Sequence, residues 1–113
     1  MEEERDVKKM DEEEKRELAM KYLSKVVDPE LGLDIVELGL IYNVEFPEEG
    51  EYDVIVDMTM TTPGCPLTSS IAMMAESALR AAGFENPLIN IVFEPPWTPD
   101  RMTDEAKKKL GML

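Results

Sequence analysis

The chain has 113 residues and no histidine, and its 12 Lys and Arg against 25 Asp and Glu leave a formal charge of −13. That length suits one domain, which buries roughly 65% of its unfolded surface. The charge opposes nucleic acid and anionic membrane surfaces, since cationic side chains supply most affinity for both. Without histidine there is no Ser-His-Asp or Cys-His catalysis, zinc protease or classical zinc finger. The single cysteine, Cys65, rules out an internal disulfide and a Cys-x-x-Cys redox pair.

Residues 1–14 are mostly charged and lack apolar periodicity, so they read as a solvated acidic arm or a helix start, ahead of a single domain over 15–113. The opening Met1–Asp6 has neither the basic region nor the apolar stretch of a signal peptide. No apolar run approaches the roughly 20 residues of a membrane span. A cytoplasmic chain with a reduced thiol is the expectation.

Leu18, Ala19, Tyr22, Leu23 and Val26 recur at helical spacing, and Pro29 is expected to end that helix. Asp34 can cap a short turn through Ile35–Leu38, which Gly39 would close in a left-handed conformation. From Leu40 the period becomes two. Leu40, Tyr42, Val44 and Phe46 form one face of a strand, and Val54, Val56, Met58 and Met60 one face of the next, across a Pro47–Glu51 turn. The opposite face of the second strand carries Asp53, Ile55, Asp57 and Thr59, and is expected to be partly wet. Pro66 suits the first position of a second helix, with Leu67, Ile71, Met74, Ala75, Ala78, Leu79 and Ala82 as its buried stripe and Gly83 as its stop. Ile89, Ile91 and Phe93 mark a third strand, ended by Pro95-Pro96. Thr98-Pro99-Asp100 opens a last short helix with Lys107, Lys108 and Lys109 at its carbonyl end. The expected fold is α+β: a two-layer α/β sandwich with an α-β-β-α-β core, a small, mainly three-stranded sheet and a short C-terminal helix.

The segment Thr59-Met60-Thr61-Thr62-Pro63-Gly64-Cys65-Pro66 carries the most chemistry. With Pro66 as first helical residue, Cys65 falls at or beside the N-cap. There, unpaired amides and the helix dipole favour a thiolate, which is both a nucleophile and a metal ligand. Gly64 leaves room beside the sulfur, and Thr61 and Thr62 add hydroxyls. Against this, a free cysteine also serves as a small buried apolar residue, and the negative charge opposes a thiolate over long range. The turn Asp28-Pro29-Glu30-Leu31-Gly32 holds two carboxylates that could bind a cation, move protons or simply cap amides. Met58, Met60 and Met74 read as core filling rather than a thioether metal site. Trp97, in the rigid segment Pro95–Pro99, either covers an end of the core or anchors a partner.

Three blocks together resemble the metal–sulfur cluster assembly family, whose members include SufT-like bacterial proteins, the eukaryotic cytosolic iron–sulfur targeting factor and PaaD-like proteins of phenylacetate degradation. The blocks are Val27–Ile41, Met58–Leu67 and Phe93–Met102. The resemblance runs from about residue 18 onward. It implies a cluster-assembly-domain fold and a role in maturing iron–sulfur proteins, with a reactive cysteine at Cys65. Asp28, Glu30, Leu31, Thr61 and Thr62 match the family's site beside it. Two departures bear on the choice within the family: the chain stops at Leu113, without the cysteine-rich extension of PaaD-like members, and it has no Gly-x-x-x-x-Gly-Lys-Ser/Thr loop.

The leading expectation is therefore an iron–sulfur assembly or transfer factor rather than an enzyme. It would hold no stable cofactor and would use Cys65 for transient iron or a cluster, or to dock a client. Its partners would be the assembly machinery, client apo-proteins, a separate P-loop ATPase and a second copy of the chain. One alternative is an adaptor in which Trp97 and the acidic surface recruit a basic partner while Cys65 is structural. Another is a thiol enzyme pairing Cys65 with Asp28 or Glu30 as acid–base group.

Overall fold

In the computed structural model, which describes residues 10–61 and 66–111, the first helix, α1, runs Glu12–Leu23. It starts in a reciprocal cap: the Glu14 N–H donates to Asp11 Oδ1 at 2.8 Å, and the Asp11 N–H donates to Glu14 Oε1 at 3.1 Å. Glu12, Glu13 and Glu14 thus form a first turn whose charge suits the helix dipole. The rest of the expected arm, residues 1–9, lies outside the described residues.

Pro29 does not end α1. The helix stops at Leu23, where the C-cap Ser24 donates its N–H to the Met20 carbonyl and its hydroxyl to the Lys21 carbonyl at 2.6 Å. Pro29 lies instead in the turn of a small antiparallel hairpin, β1 (Val27–Asp28) and β2 (Leu33–Asp34). Two-residue strands are too short to show alternation, so periodicity did not reveal them.

The turn after β2 forms as its residues dictate. Asp34 Oδ1 accepts the Val36 and Glu37 N–H groups at 2.9 and 2.8 Å, and Glu37 Oε2 accepts the Asp34 N–H at 3.1 Å. Gly39, at φ 77°, closes it: its N–H bonds the Val36 carbonyl while the Leu40 N–H reaches back to Ile35.

Strand β3 (Ile41–Glu45) pairs antiparallel with β4 (Val54–Met58), and β5 (Pro87–Ile91) pairs parallel with β4, giving the order β3-β4-β5. The register slips between Ile41 and Asn43. That bulge interrupts the expected alternation: Leu40 and Val44 are buried, while Tyr42 and Phe46 are half-buried. On β4 the pattern is regular, with Val54, Val56 and Met58 fully inside. Each such side chain contributes roughly 1.5–3 kcal/mol of transfer free energy. Thr59, expected on the wetter face, is only 1% exposed.

Helix α2 (Thr68–Ala82) packs against α1 and β5 and buries Ile71, Ala75, Leu79 and Ala82. Met74, read as core, is 41% exposed, because the stripe that meets the sheet is one residue narrower than the apolar pattern. Phe93, read as a strand residue, lies beyond β5 and is 42% exposed. The C-terminal segment is two pieces rather than one helix. A 3₁₀ turn (Pro99–Arg101) follows Thr98, whose side chain caps nothing, and α3 (Asp104–Lys109) is capped by Thr103, whose hydroxyl accepts the Ala106 N–H at 3.1 Å. Lys107, Lys108 and Lys109 occupy its last turn. The result is a two-layer α+β sandwich whose core lies between the sheet and α1 and α2.

Candidate functional site

The candidate site begins where β4 ends. The Thr59 N–H donates to the Leu40 carbonyl at 2.8 Å, and the Val92 N–H donates to the Met58 carbonyl at 2.8 Å. The end of the central strand is thereby pinned between the Gly39 turn and the exit of β5. Met60 turns inward and is buried, and Thr61 is half-buried. The sequence places Thr59 on the wetter face and gives it no role. Its hydroxyl is buried and has no hydrogen-bond partner among the described residues. Leaving such a group unsatisfied costs about 1–3 kcal/mol. Only its place at the end of the alternating strand, two residues before Thr61, could have pointed to it.

Thr62, Pro63, Gly64 and Cys65 lie outside the described residues. The helix beyond them begins later than proline chemistry predicts. Helix α2 starts at Thr68 with Leu67 as N-cap, so Pro66 precedes the cap and Cys65 stands two positions before it in the chain. Leu67 packs against the core and its carbonyl takes the first helical bond, from the Ile71 N–H at 2.9 Å. Leu67 itself, at φ −93° and ψ 4°, falls outside helical geometry. Where the apolar stripe meets the core sets the helix start here, ahead of proline's preference for the first turn. Leu67 supplies no side-chain cap to α2, whose first turn also holds no acid, unlike α1 and α3. On a chain of charge −13 this helix start is left without negative charge of its own.

The Asp28 turn is built for its own backbone. Asp28 is 3% exposed, its Oδ1 accepts the Glu30 N–H at 2.8 Å, and its carbonyl accepts the Gly32 N–H at 2.7 Å. Glu30 and Leu31 are exposed. No hydrogen bond or ion pair among the described residues joins this turn to Thr61. The link is through the framework: the Ile35 N–H bonds the Val26 carbonyl at the base of the hairpin, and Leu40, five residues on, holds Thr59. Among the described residues no three carboxylates gather to hold a metal ion.

Trp97 is half-buried against the core and donates its indole N–H to the Leu38 carbonyl at 2.7 Å. It covers the end of the core beside the Gly39 turn. The same turn is braced from α3. The Glu37 carbonyl accepts the Thr103 N–H at 2.9 Å, and Glu37 Oε1 pairs with Lys109 Nζ at 3.2 Å. The hydrogen bond from the Asp34 N–H, helped by Lys109, holds the Glu37 carboxyl below its ordinary value. Burial pushes Asp34 up, and the neighbouring Glu37 charge adds to that. Two clefts, of about 650 and 620 Å³, are lined by other residues: one between α1 and the Phe46–Asp53 turn, the other between α1 and the Met73–Met74 face of α2.

A model of a family described as iron–sulfur cluster assembly protein matches residues 16–85. The chain is 43% identical over 102 residues to the Fe-S protein maturation auxiliary factor YitW of Bacillus subtilis, covering 89% of this chain and 98% of that protein. It is 44% identical over 88 residues to the Fe-S protein maturation auxiliary factor SufT of Staphylococcus aureus, covering 77% of this chain and 98% of that one. Among solved structures, a domain of unknown function from Bacillus anthracis superposes with a TM-score of 0.77 at 37% identity, over 88% of this chain and 92% of that one.

Proposed function

The chain belongs to the iron–sulfur cluster assembly protein family, and from that membership and the layout of the β4–α2 junction we propose that it matures iron–sulfur proteins by transient ligation through Cys65. The family match carries this reading, because it spans the Asp28 turn and the whole Thr59–Pro66 segment in one block. In the chain the cysteine stands between a strand end whose buried Thr59 hydroxyl has no partner among the described residues and a helix whose first turn carries no acid. A helix start with no acid of its own favours a sulfur that carries negative charge.

Iron–sulfur clusters take about four thiolates. One per chain leaves the remaining ligands to a client, an assembly partner, external thiols or a second copy. Transfer is then ligand exchange: an acceptor thiolate forms a bond to iron as the Cys65–iron bond breaks, and no electron changes hands. The cluster is cargo, not a resident cofactor, and the chain has no catalytic turnover of its own. Thr61 and Thr62 supply hydroxyls near the cargo, and Asp28 sets the shape of the neighbouring turn from which Glu30 and Leu31 face a partner. Trp97 supports the fold next to that face. The partners are the assembly machinery and client apo-proteins of the cytoplasm. Any nucleotide hydrolysis comes from a separate P-loop ATPase. No helix among the described residues is long and apolar enough to cross a membrane.

The test is anaerobic loading with iron and sulfide, followed by mixing with an apo-acceptor. Wild type is expected to mature the acceptor, and Cys65→Ala to fall to the rate of free iron and sulfide. Equal maturation by both would reject the thiolate role and leave the adaptor reading. The rate of Cys65 alkylation against pH should show a midpoint below the free-thiol value of about 8.5. Added ferrous iron should suppress that rate.

A further inference from the structure

The two edges of the sheet are finished differently. On β3, the bulge at Tyr42 breaks the ladder, Glu45 carries charge, and Asn43 Nδ2 bonds Glu45 Oε2 along the strand at 3.0 Å. The returning C-terminal segment also covers that side. The Tyr42 hydroxyl donates to the Pro95 carbonyl at 2.8 Å, and the Arg101 guanidinium lies 4.5 Å from the Tyr42 ring. These are the usual devices that keep an edge strand from pairing.

Among the described residues strand β5 has no bulge, no charge and no hydrogen-bonded covering segment, and its one such device is Pro87 at its start. The register with β4 is unbroken from Pro87 to Ile91. Because the Val92 N–H points to β4, Leu88 and Asn90 also turn their backbone groups inward. The N–H and C=O groups of Ile89 and Ile91 therefore point outward, and no bond among the described residues uses them. From Pro87 to Phe93 the sequence Pro-Leu-Ile-Asn-Ile-Val-Phe has no charge, in a chain one-third charged. Glu85 and Glu94, both exposed and with carboxylates unpaired among the described residues, bracket this run. Arg80, which holds the Glu85 carbonyl, is already paired with Glu76.

We propose that the open edge of β5 docks an extended segment of a partner protein as a fourth strand, uncharged and β-prone at its centre and lysine- or arginine-bearing at both ends. Only a strand offers donors and acceptors at the spacing of Ile89 and Ile91. The bracketing carboxylates choose the occupant. A second copy laid antiparallel about Asn90 would set each Glu94 beside the other copy's Glu85, whereas basic ends would meet both acids in either direction. This surface is independent of the cysteine chemistry, so either proposal can fail without the other.

The probe is a nine-residue peptide with lysine at each end and alternating threonine and valine between, added to the isotope-labelled full chain and followed by amide hydrogen exchange. The Ile89 and Ile91 amides should exchange fast in the free protein and slow at least tenfold with peptide, while Asn90 is unchanged. A peptide of equal charge with its valines replaced by proline should do nothing. Slow exchange at Ile89 and Ile91 in the free monomer would overturn the proposal, as would no change on adding peptide or equal protection by the proline peptide. Protection that instead grows with protein concentration alongside a dimer in sedimentation makes the occupant a second copy, and also overturns it. Replacing both flanking acids, Glu85→Lys with Glu94→Lys, should weaken the lysine-ended peptide at least fivefold; unchanged affinity would refute the charge matching.

Discussion

The central strand β4 has two ends that treat their polar groups in opposite ways. At its start, Asp53 is fully used: its carboxylate accepts the Glu85 and Asn86 N–H groups at 2.7 and 3.0 Å, and its own N–H donates to the Asn86 carbonyl. At its finish, the buried Thr59 hydroxyl is spent on nothing among the described residues, and the chain runs on into Thr61 and Cys65. One end clips the parallel strand β5 in place. The other carries a polar group uncompensated among the described residues, where the proposed site begins, and functional sites are where proteins tolerate such costs.

The sharpest way to break this comparison is to disturb the support beneath the open end. Gly39→Ala should cost about 3 kcal/mol or more. A Cβ there would overlap the Arg101 backbone, with the carbonyl carbon at 2.7 Å, while φ is already left-handed. Denaturant unfolding would show it; a loss below about 1 kcal/mol would mean the turn and the 3₁₀ segment move apart freely. Asp53→Ala should cost about 1–2 kcal/mol by orphaning two amides, and should speed exchange at Glu85 and Asn86 first.

The opposite sign is expected at the other end. Thr59→Val keeps the shape and removes the unsatisfied hydroxyl, so stability should rise by about 1 kcal/mol. A loss of stability would show that the hydroxyl has a partner in residues 62–65, and the contrast between the ends would vanish. The smallest effect belongs to Glu37. Its lowered carboxyl favours the folded state above its ordinary value of 4.5, a contribution lost as pH falls through the depressed folded value. Asp34, raised from 3.8, does the reverse: its contribution is present below that value and is lost as pH rises. Glu37→Gln should therefore cost up to about 1 kcal/mol near neutral pH, a cost that shrinks as pH falls through the depressed folded value, measured by thermal unfolding as a function of pH.

Particular residues show how far the sequence alone reaches. The Asp34–Gly39 turn was legible because its cap, its Glu three residues on and its glycine stop are local chemistry. The β4 alternation and most of the α2 stripe were legible because burial imposes periods of two and 3.6. The β1–β2 hairpin was not, since its two-residue strands follow from an Asx turn rather than from a pattern. The start of α2 was misplaced because Pro66 is permitted at a first helical position but the core contact of Leu67 set the boundary. For the candidate site, the sequence named Asp28, Glu30, Leu31, Thr61, Thr62, Cys65 and Trp97. It placed Thr59 on the wetter face and gave it no role.

Element types, the two layers and the lone thiol's place in the chain were thus decided by composition, period and local turn chemistry, which act over a few residues. Strand order, the parallel β4–β5 pairing, the β5 edge left unbonded among the described residues and the buried Thr59 hydroxyl were decided only in three dimensions. Each depends on which distant segment covers a group, and chain neighbours carry no record of that.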